Sequence, residues 1–377
     1  MFFLVVLAVW TGMNAYVFWR LASIPLVAAH VSRGLLIAAA VFLWIDYLAS
    51  RFIERFGPAL VGQVLEWVGA NWFGVLFLTF VCLLAVDILT GFGFFLPRLA
   101  PTLRAWALAA AGVLCVIALV QGLRPPVVRN YEVRLPGLPA ASDGTVLVVI
   151  SDTHLGSMIG SRWLAARIEQ IHSLRPDAII LAGDIVEGDG GGEQELVRQL
   201  GRLSAPLGVW AVNGNHEFYA GINPTMRLFE QLGFHVLRDR WAEVKPGLVF
   251  AGVDDLTSRR RRSIQGDFIG HALAGRPAGA ATVLVSHTPW QADRAAAAGA
   301  GLMLSGHTHN GQIWPFTYVV RAMYPLIGGR YEVNGMTAIV CRGTGTWGPR
   351  MRLWRPAEML RIVLRAALAA PRGFGAR

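Results

Sequence analysis

The segment Gly306-His307-Thr308-His309-Asn310-Gly311-Gln312 carries two histidines two residues apart, a common spacing for metal ligands. It follows the apolar run Ala300-Gly301-Leu302-Met303-Leu304, which places the pair where a buried strand opens into a loop at a sheet edge. Four other apolar runs end in the same kind of polar residue. Val146 to Ile150 leads into Ser151-Asp152-Thr153-His154, and Ala178 to Leu181 into Gly183-Asp184. Val209 to Val212 leads into Asn213-Gly214-Asn215-His216-Glu217, and Thr282 to Val285 into Ser286-His287-Thr288-Pro289. Taken singly, each group has a bland reading: Asp152 as a helix cap, Asp184 and Asn215 as turn residues, His287 as a satisfied loop histidine. Taken together they bring Asp, His, Asp, Asn, His, His and His to the carboxyl ends of strands, where open α/β sheets bind ligands. Mixed oxygen and nitrogen donors suit two borderline-hard divalent ions such as manganese, iron or zinc.

The elements that must hold these groups are short apolar runs alternating with helical stretches. A helix with apolar Trp163, Leu164, Ile168 and Ile171 follows the first run, and a helix from Glu193 to Leu203 follows the second. Such alternation argues an α/β layered domain. Further strands are expected at Val249 to Val253, Met336 to Cys341 and Met359 to Leu364, and Tyr131 to Leu135 alternates as a first strand would. Pro125-Pro126 ends the helix before it, because consecutive prolines cannot continue one.

The remainder of the chain is too apolar for an all-soluble protein. Of 377 residues 54% are hydrophobic and 15% charged, with a mean hydropathy of +0.47; part of it belongs in lipid. Met1 to Trp19, Gly34 to Ala49, Trp72 to Leu96 and Ala105 to Leu123 are apolar stretches flanked by arginines, read as four helices crossing a hydrocarbon core of about 30 Å. The second is short, so a core-buried or interfacial helix is the alternative there. The first lacks the basic region of a cleaved signal peptide and is read as retained. Asp46 and Asp87 fall within these stretches; an acid in an apolar span is either a functional group or one that snorkels or bonds a neighbouring helix. Four crossings put both termini on one side with Arg51, Arg55, Arg124, Arg129 and Arg134, against Arg20, Arg33, Arg98 and Arg104 on the other. That balance leans towards a cytoplasmic catalytic domain and leaves the orientation open. The expected organisation is a membrane region over 1–124, a linker over 125–144, a catalytic domain over 145–365 and a basic tail over 366–377.

The net charge is +10, with Lys245 the single lysine. Basic surface beside a membrane suits anionic headgroups or phosphorylated substrates. Nucleic acid is not an expected partner, since the arginines are scattered and form no aromatic-interleaved stripe. Cys82, Cys115 and Cys341 make no disulfide framework. The densest charge run, Arg259-Arg260-Arg261-Arg262, is either a solvated loop or a contact with lipid headgroups or a substrate phosphate.

In order, the blocks Asp152-Thr153-His154, Gly183-Asp184, Gly214-Asn215-His216-Glu217, Ser286-His287-Thr288-Pro289 and Gly306 to Gln312 resemble the calcineurin-like metallophosphoesterase superfamily. The similarity is greatest to its membrane-attached bacterial branch and to transmembrane proteins bearing such a domain. It covers about residues 145 to 365, and includes the late Gly343-Thr344-Gly345-Thr346-Trp347-Gly348. The resemblance implies a two-sheet β-sandwich flanked by helices. It implies two divalent ions, manganese or iron with manganese, or zinc: one held by Asp152, His154 and His309, the other by Asn215, His287 and His307, with Asp184 bridging. His216 takes the catalytic histidine position and Glu217 is the expected partner that orients its ring. A dinuclear centre lowers the pKa of a bound water for attack on phosphorus, and His216 then stabilises phosphoryl charge or protonates the leaving oxygen. In the second block glutamate, Glu187, stands where relatives often carry aspartate, and glycines at 190–192 mark a loop expected to be mobile and to face the substrate.

The function expected is hydrolysis of a phosphoester or pyrophosphate bond by a multi-pass protein of the bacterial inner membrane, on a lipid or lipid-linked substrate. Two alternatives stay open: a pyrophosphatase of UDP-2,3-diacylglucosamine in lipid A synthesis, and a non-catalytic membrane sensor of metal or phosphate. The side of the membrane and the oligomeric state are not read from the sequence.

Overall fold

The computed structural model describes residues 2–187, 194–219 and 221–366, without the side chains of residues 2, 3, 51, 54–56 and 59. The expected basic tail and the glycine run at 190–192 lie outside the described residues. The chain divides into two units, residues 1–124 with 348–354, and residues 125–347 with 355–377.

The first unit is helical: α1 (Phe2–Leu21), the short α2 (Pro25–His30), α3 (Arg33–Phe56), α4 (Ala59–Thr90) and α5 (Ala100–Leu123). Four of these, α1, α3, α4 and α5, are long and apolar enough to cross a membrane. Helix α4 begins well before the expected Trp72 because Gln63, Glu66 and Asn71 interrupt the apolar pattern without breaking the helix. It ends at Gly91, whose left-handed φ of 58° closes a glycine C-cap. Asp87 is buried and meets partners from other helices: Arg20 of α1 at 2.5 Å, Arg104 of α5 at 2.8 Å and the Tyr16 hydroxyl at 2.5 Å. Of the alternatives for an acid in an apolar span, the structure realises the bond to neighbouring helices, with an arginine from each of α1 and α5. Asp46 is buried with no hydrogen-bond partner among the described residues, against Gly69 of α4, where a Cβ would lie 2.9 Å from its Oδ2.

The segment Gly348–Trp354 belongs to this helical unit, although it falls within the stretch expected as one continuous catalytic domain. Arg350 N–H donates to Asn71 Oδ1 (3.0 Å), Arg352 N–H to the Ala118 carbonyl (2.8 Å) and Trp354 N–H to Gln121 Oε1 (2.8 Å). Gly122 permits the approach, since a Cβ there would sit 2.3 Å from the Arg350 carbonyl oxygen.

Among the described residues the second unit has twelve strands: β1 (Val127–Leu135), β2 (Val146–Ile150), β3 (Ala178–Ala182), β4 (Val209–Val212), β5 (His235–Val236), β6 (Arg240–Lys245), β7 (Leu248–Val253), β8 (Ala281–Ser286), β9 (Leu302–Ser305), β10 (Gly329–Val333), β11 (Met336–Val340) and β12 (Glu358–Ala366). They form two mixed sheets, ordered β1-β12-β2-β3-β4-β5 and β10-β11-β9-β8-β7-β6. Strand β1 pairs with β12 from Val127↔Glu358 to Leu135↔Ala366, so the stretch expected as a linker contains an edge strand. Within β2 and β3 successive side chains alternate faces. Leu147, Val149, Ile180 and Ala182 join Val283, Val285, Leu304 and Ile339 of the other sheet in one core. Val148, Ile150, Ile179 and Leu181 pack outward with Leu164, Ile168 and Ile171 of α6 (Ser161–Ser173) and with Phe229. Both faces are thus covered, which accounts for the continuous apolar runs. The other helices are α7 (Gln194–Leu200), α8 (Asn215–Tyr219), α9 (Ile222–Gln231), α10 (Leu256–Arg261), α11 (Phe268–Leu273), α12 (Ala292–Ala297) and α13 (Thr317–Met323).

Candidate metal centre

Strands β2, β3 and β4 run parallel in one sheet, and β7, β8 and β9 in the other. Their carboxyl ends are sewn together. Asp152 N–H donates to the Gly183 carbonyl (3.0 Å), Gly306 N–H to the His287 carbonyl (2.9 Å), and His307 N–H to Asp152 Oδ1 (2.9 Å), which ties one sheet to the other. Space is tight enough that only glycine fits at 306: a Cβ there would lie 1.9 Å from Ser151 Oγ and 2.3 Å from Asp152 Oδ2. Asp152, His154, Asp184, His307 and His309 all have φ between 46° and 73°. Backbone strain of this kind in side-chain-bearing residues concentrates at functional sites.

Three groups of donors converge here: Asp152, His154 and His309; Asp184, His287 and His307; and His154, Asp184 and His216. The first two correspond to the two expected ligand sets around Asp184. His154 Nε2 faces His309 Nε2 at 3.1 Å, and His287 Nε2 faces His307 Nδ1 at 3.3 Å and Asp184 Oδ2 at 3.0 Å. The opposite nitrogens are already engaged: His287 Nδ1 on the Ala182 carbonyl (2.8 Å) and His154 Nδ1 on Glu187 (2.7 Å). That pattern fixes the tautomers and points the remaining lone pairs inward, as in metal-ligating histidines. Asn215 is buried and its Oδ1 has no hydrogen-bond partner among the described residues, a cost that a cation would remove. The residues therefore fit two divalent ions.

The acids and imidazoles of the cluster also shift one another's protonation. Burial pushes the Asp152 carboxyl up against the pull of His287. Asp184 is held well below the carboxylate range, since the charges of His287 and His216 overcome the penalty of burial. Burial lowers the His307 imidazole to about 4, with the charge of His287 adding to it, so His307 offers a neutral ring. Burial pulls His216 down, but the charge of Asp184 and the Glu187 hydrogen bond outweigh it and raise the ring to about 9.

Two expectations change. Glu217 does not face the His216 ring: its carboxylate accepts the N–H groups of Asp184 (3.0 Å), Ile185 (2.7 Å) and Gly214 (2.7 Å), fixing the two loops to each other. Neighbouring residues on the short helix α8 point different ways, so adjacency in sequence misled. The partner of the His216 ring is Glu187, which takes His216 Nδ1 at 2.9 Å and His154 Nδ1 at 2.7 Å. The signal was the glutamate at that position, where relatives often carry aspartate. The arginine run also divides. Arg259 is buried, paired with Asp239 and with Asp254 (3.4 Å) and stacked over Phe268 (3.8 Å). Arg260, Arg261 and Arg262 are exposed; Arg260 lies over Trp290 at 5.1 Å and Arg261 over Tyr219 at 5.4 Å. Tyr219 is 5.6 Å from His216, while Trp290 stacks on Tyr324, whose hydroxyl meets His307 Nε2 at 2.8 Å. Trp347, 6.0 Å from the His216 ring, is a further wall that motif reading did not assign.

A two-sheet sandwich with converging aspartate, asparagine and histidine at its strand ends defines a dinuclear metal-binding α/β domain. Residues 145–311 match the calcineurin-like phosphoesterase family. An uncharacterized metallophosphoesterase of Aquifex aeolicus is 31% identical over 246 residues, 63% of this chain and 91% of that protein. The chain belongs to the calcineurin-like metallophosphoesterases, a family that uses a dinuclear divalent metal centre. It is also 32% identical over 272 residues, 69% of this chain, to a transmembrane protein with metallophosphoesterase domain from Danio rerio. Its counterpart in Bos taurus is 31% identical over 277 residues, 70% of this chain. The chain spans 62% of the length of each of these two relatives. With four membrane-length helices and such a relative, the chain is a membrane protein.

Proposed function

We propose that this chain is a multi-pass inner-membrane phosphoesterase that hydrolyses a phosphoester or pyrophosphate bond of a lipid or lipid-linked substrate. The observation that carries the reading is the pair of buried ligand groups that share the strand-end cluster around Asp184, with Asn215 Oδ1 left unsatisfied beside them. Asp152, His154 and His309 would hold one ion, Asn215, His287 and His307 the other, and Asp184 both. Mixed oxygen and nitrogen donors favour manganese, iron or zinc. When bound, such ions supply Lewis acidity and an activated water.

The chain's own groups do the rest. Glu187 fixes the Nδ1 side of His216, which leaves Nε2 to face the phosphoryl group. Held by Glu187 on its Nδ1 side, that ring can stabilise phosphoryl oxygens or protonate the departing one. Glu217 keeps the Asp184 and Asn215 loops in register through backbone N–H groups. Arg260 and Arg261, set over aromatic rings, supply exposed cations for the substrate's charge. Support for a lipid substrate comes from the four helices and from the chain order, in which Gly348–Trp354 of the helical unit follows directly on Trp347.

Purified protein with Mn²⁺ and bis-p-nitrophenyl phosphate tests the reading. Turnover by wild type that disappears in Asp184→Asn and His216→Ala is expected. An inactive wild type that still binds stoichiometric metal would replace the enzyme with a sensor.

A further inference from the structure

Helix α13 is given no task by the chemistry above. It buries Thr317 and Val320 and leaves Tyr318, Val319 and Met323 exposed at 61%, 49% and 60%, with Phe316 before it at 42%. A helix on a water-facing surface turns polar residues outward. Here the outward residues are apolar and aromatic, and Arg321 is the one charge among them. From Gly306 to Gly329 the sequence contains no aspartate or glutamate, and Arg321 is its one arginine. Apolar and aromatic side chains with arginine and no acid suit the boundary between headgroups and acyl chains of an anionic bilayer. The same chain carries four membrane-length helices, so a bilayer is already its neighbour.

Both ends of α13 are fastened to the metal-ligand loop. Thr317 Oγ1 donates to the Asn310 carbonyl at 3.1 Å, and the Tyr324 hydroxyl meets His307 Nε2 at 2.8 Å. At Gly311 a Cβ would lie 2.4 Å from Thr317 Cα, so helix and loop move as one piece.

We infer that the outward face of α13, built from Phe316, Tyr318, Val319 and Met323, docks onto the lipid bilayer and holds the His307–His309 loop at headgroup level. The substrate that reaches the site is then a phosphoester carried by a membrane lipid. The substrate clause rests on the phosphoesterase reading above; the lipid contact does not. A second copy of the chain is the rival occupant of this face.

The test uses the full chain in vesicles containing phosphatidylglycerol, with Cys82, Cys115 and Cys341 replaced by serine. Val319→Cys and Met323→Cys carry an environment-sensitive fluorophore, and Ala297→Cys on the exposed side of α12 is the control. Lipids bearing a nitroxide should quench positions 319 and 323 and leave 297 unchanged. Equal quenching at all three, or cross-linking between copies through position 319 without quenching, would overturn the lipid contact. The second arm compares hexadecyl p-nitrophenyl phosphate held in the vesicles with soluble bis-p-nitrophenyl phosphate. Val319→Asp/Met323→Asp should lose about tenfold or more on the anchored ester and stay within about twofold on the soluble one, since charge is expelled from the interface. Val319→Leu/Met323→Leu should keep both rates. Equal losses on both esters would overturn the substrate clause. A wild type inactive on both would sink the phosphoesterase reading, and quenching would still decide the lipid contact.

Discussion

Asp87 in the helical unit and Asp184 at the strand ends are both buried, yet their neighbours differ in kind. Asp87 meets two guanidinium groups and a hydroxyl, Arg20 at 2.5 Å, Arg104 at 2.8 Å and Tyr16 at 2.5 Å. Arginine has no lone pair to offer and stays charged, so the aspartate's charge is matched within the protein. Asp184 meets imidazoles, His287 Nε2 at 3.0 Å among them, with Asn215 Oδ1 unsatisfied nearby. Imidazole can turn a lone pair inward, and a cluster of inward lone pairs and carboxylates invites a cation. The same side chain is a closed ion pair in one unit and an open ligand in the other because of what its partners have left to give.

Breaking the open cluster should have the largest effect. Asp184→Asn or His287→Ala should lower turnover by about a thousandfold or more, since several kcal/mol of charge stabilisation are lost. Metal content by mass spectrometry should fall with it. His307→Ala should empty the Asn215 and His287 site first and spare the ion at Asp152, His154 and His309; loss of both ions together would contradict the division into two sets.

Breaking the closed cluster should act on stability and leave the metals in place. Asp87→Ala strands two buried arginines and should cost about 3–5 kcal/mol, read as a lower melting temperature in detergent with full metal content. Replacing Arg20, Asp87 and Arg104 together by apolar residues of similar volume should recover much of that loss. A triple variant worse than the single one would show that the cluster does more than balance charge.

The contrast also explains what the sequence exposed. Asp152, Asp184, Asn215, His287 and the His307–His309 pair stood out because each ends a continuous apolar run, and strand and ligand are then neighbours in the chain. The core strands were legible for the same reason, being buried on both faces. Strands β6 (Arg240–Lys245) and β10 (Gly329–Val333) were not expected: both are edge strands that expose charged residues, Arg240 and Glu243 in one and Arg330 and Glu332 in the other, so no apolar run marks them. Asp87's partners, Tyr16, Arg20 and Arg104, lie far from it in the chain, and no local pattern joins them. Glu187 was passed over for Glu217 because motif reading favours the nearer residue, while side-chain direction on α8 decides the matter. The return of Gly348–Trp354 to the helical unit depends on Gly122 and Ala118, small residues that look unremarkable in an apolar helix.

Glu187 allows a finer cut within the open cluster. Glu187→Gln should keep both ions and lower turnover about 10–100-fold, as outer hydrogen-bond partners of metal ligands do; Glu217→Gln should act chiefly on stability. The pH dependence of the metal-free protein separates the two further. His216 is raised from 6.5 to about 9 by Asp184 and Glu187 against the pull of burial. A raised histidine contributes stability fully below its unfolded value, and the contribution fades as pH climbs through the folded value. Melting of chelated protein should therefore weaken between pH 6.5 and about 9, and Glu187→Gln should move that loss to lower pH. An unchanged profile would mean that Glu187 does not hold the His216 proton.

The smallest effect is expected where a charge is exposed, and it carries the comparison to the surface. Arg259 repeats the Asp87 arrangement, a buried guanidinium held by Asp239 and Asp254, so Arg259→Ser should lower the melting temperature and leave KM alone in the protein that remains folded. Arg260 and Arg261 are exposed and lie over Trp290 and Tyr219, where their guanidinium groups can meet a substrate's charge. Arg260→Ser/Arg261→Ser should raise KM for an anionic ester a few-fold, about 1 kcal/mol for exposed charge pairs, with kcat and melting temperature unchanged. The rise should shrink in high salt, because exposed charges are screened over about 10 Å at 0.1 M. A salt-independent rise would instead mean that the two arginines act by shaping the aromatic wall beside His216 and His307.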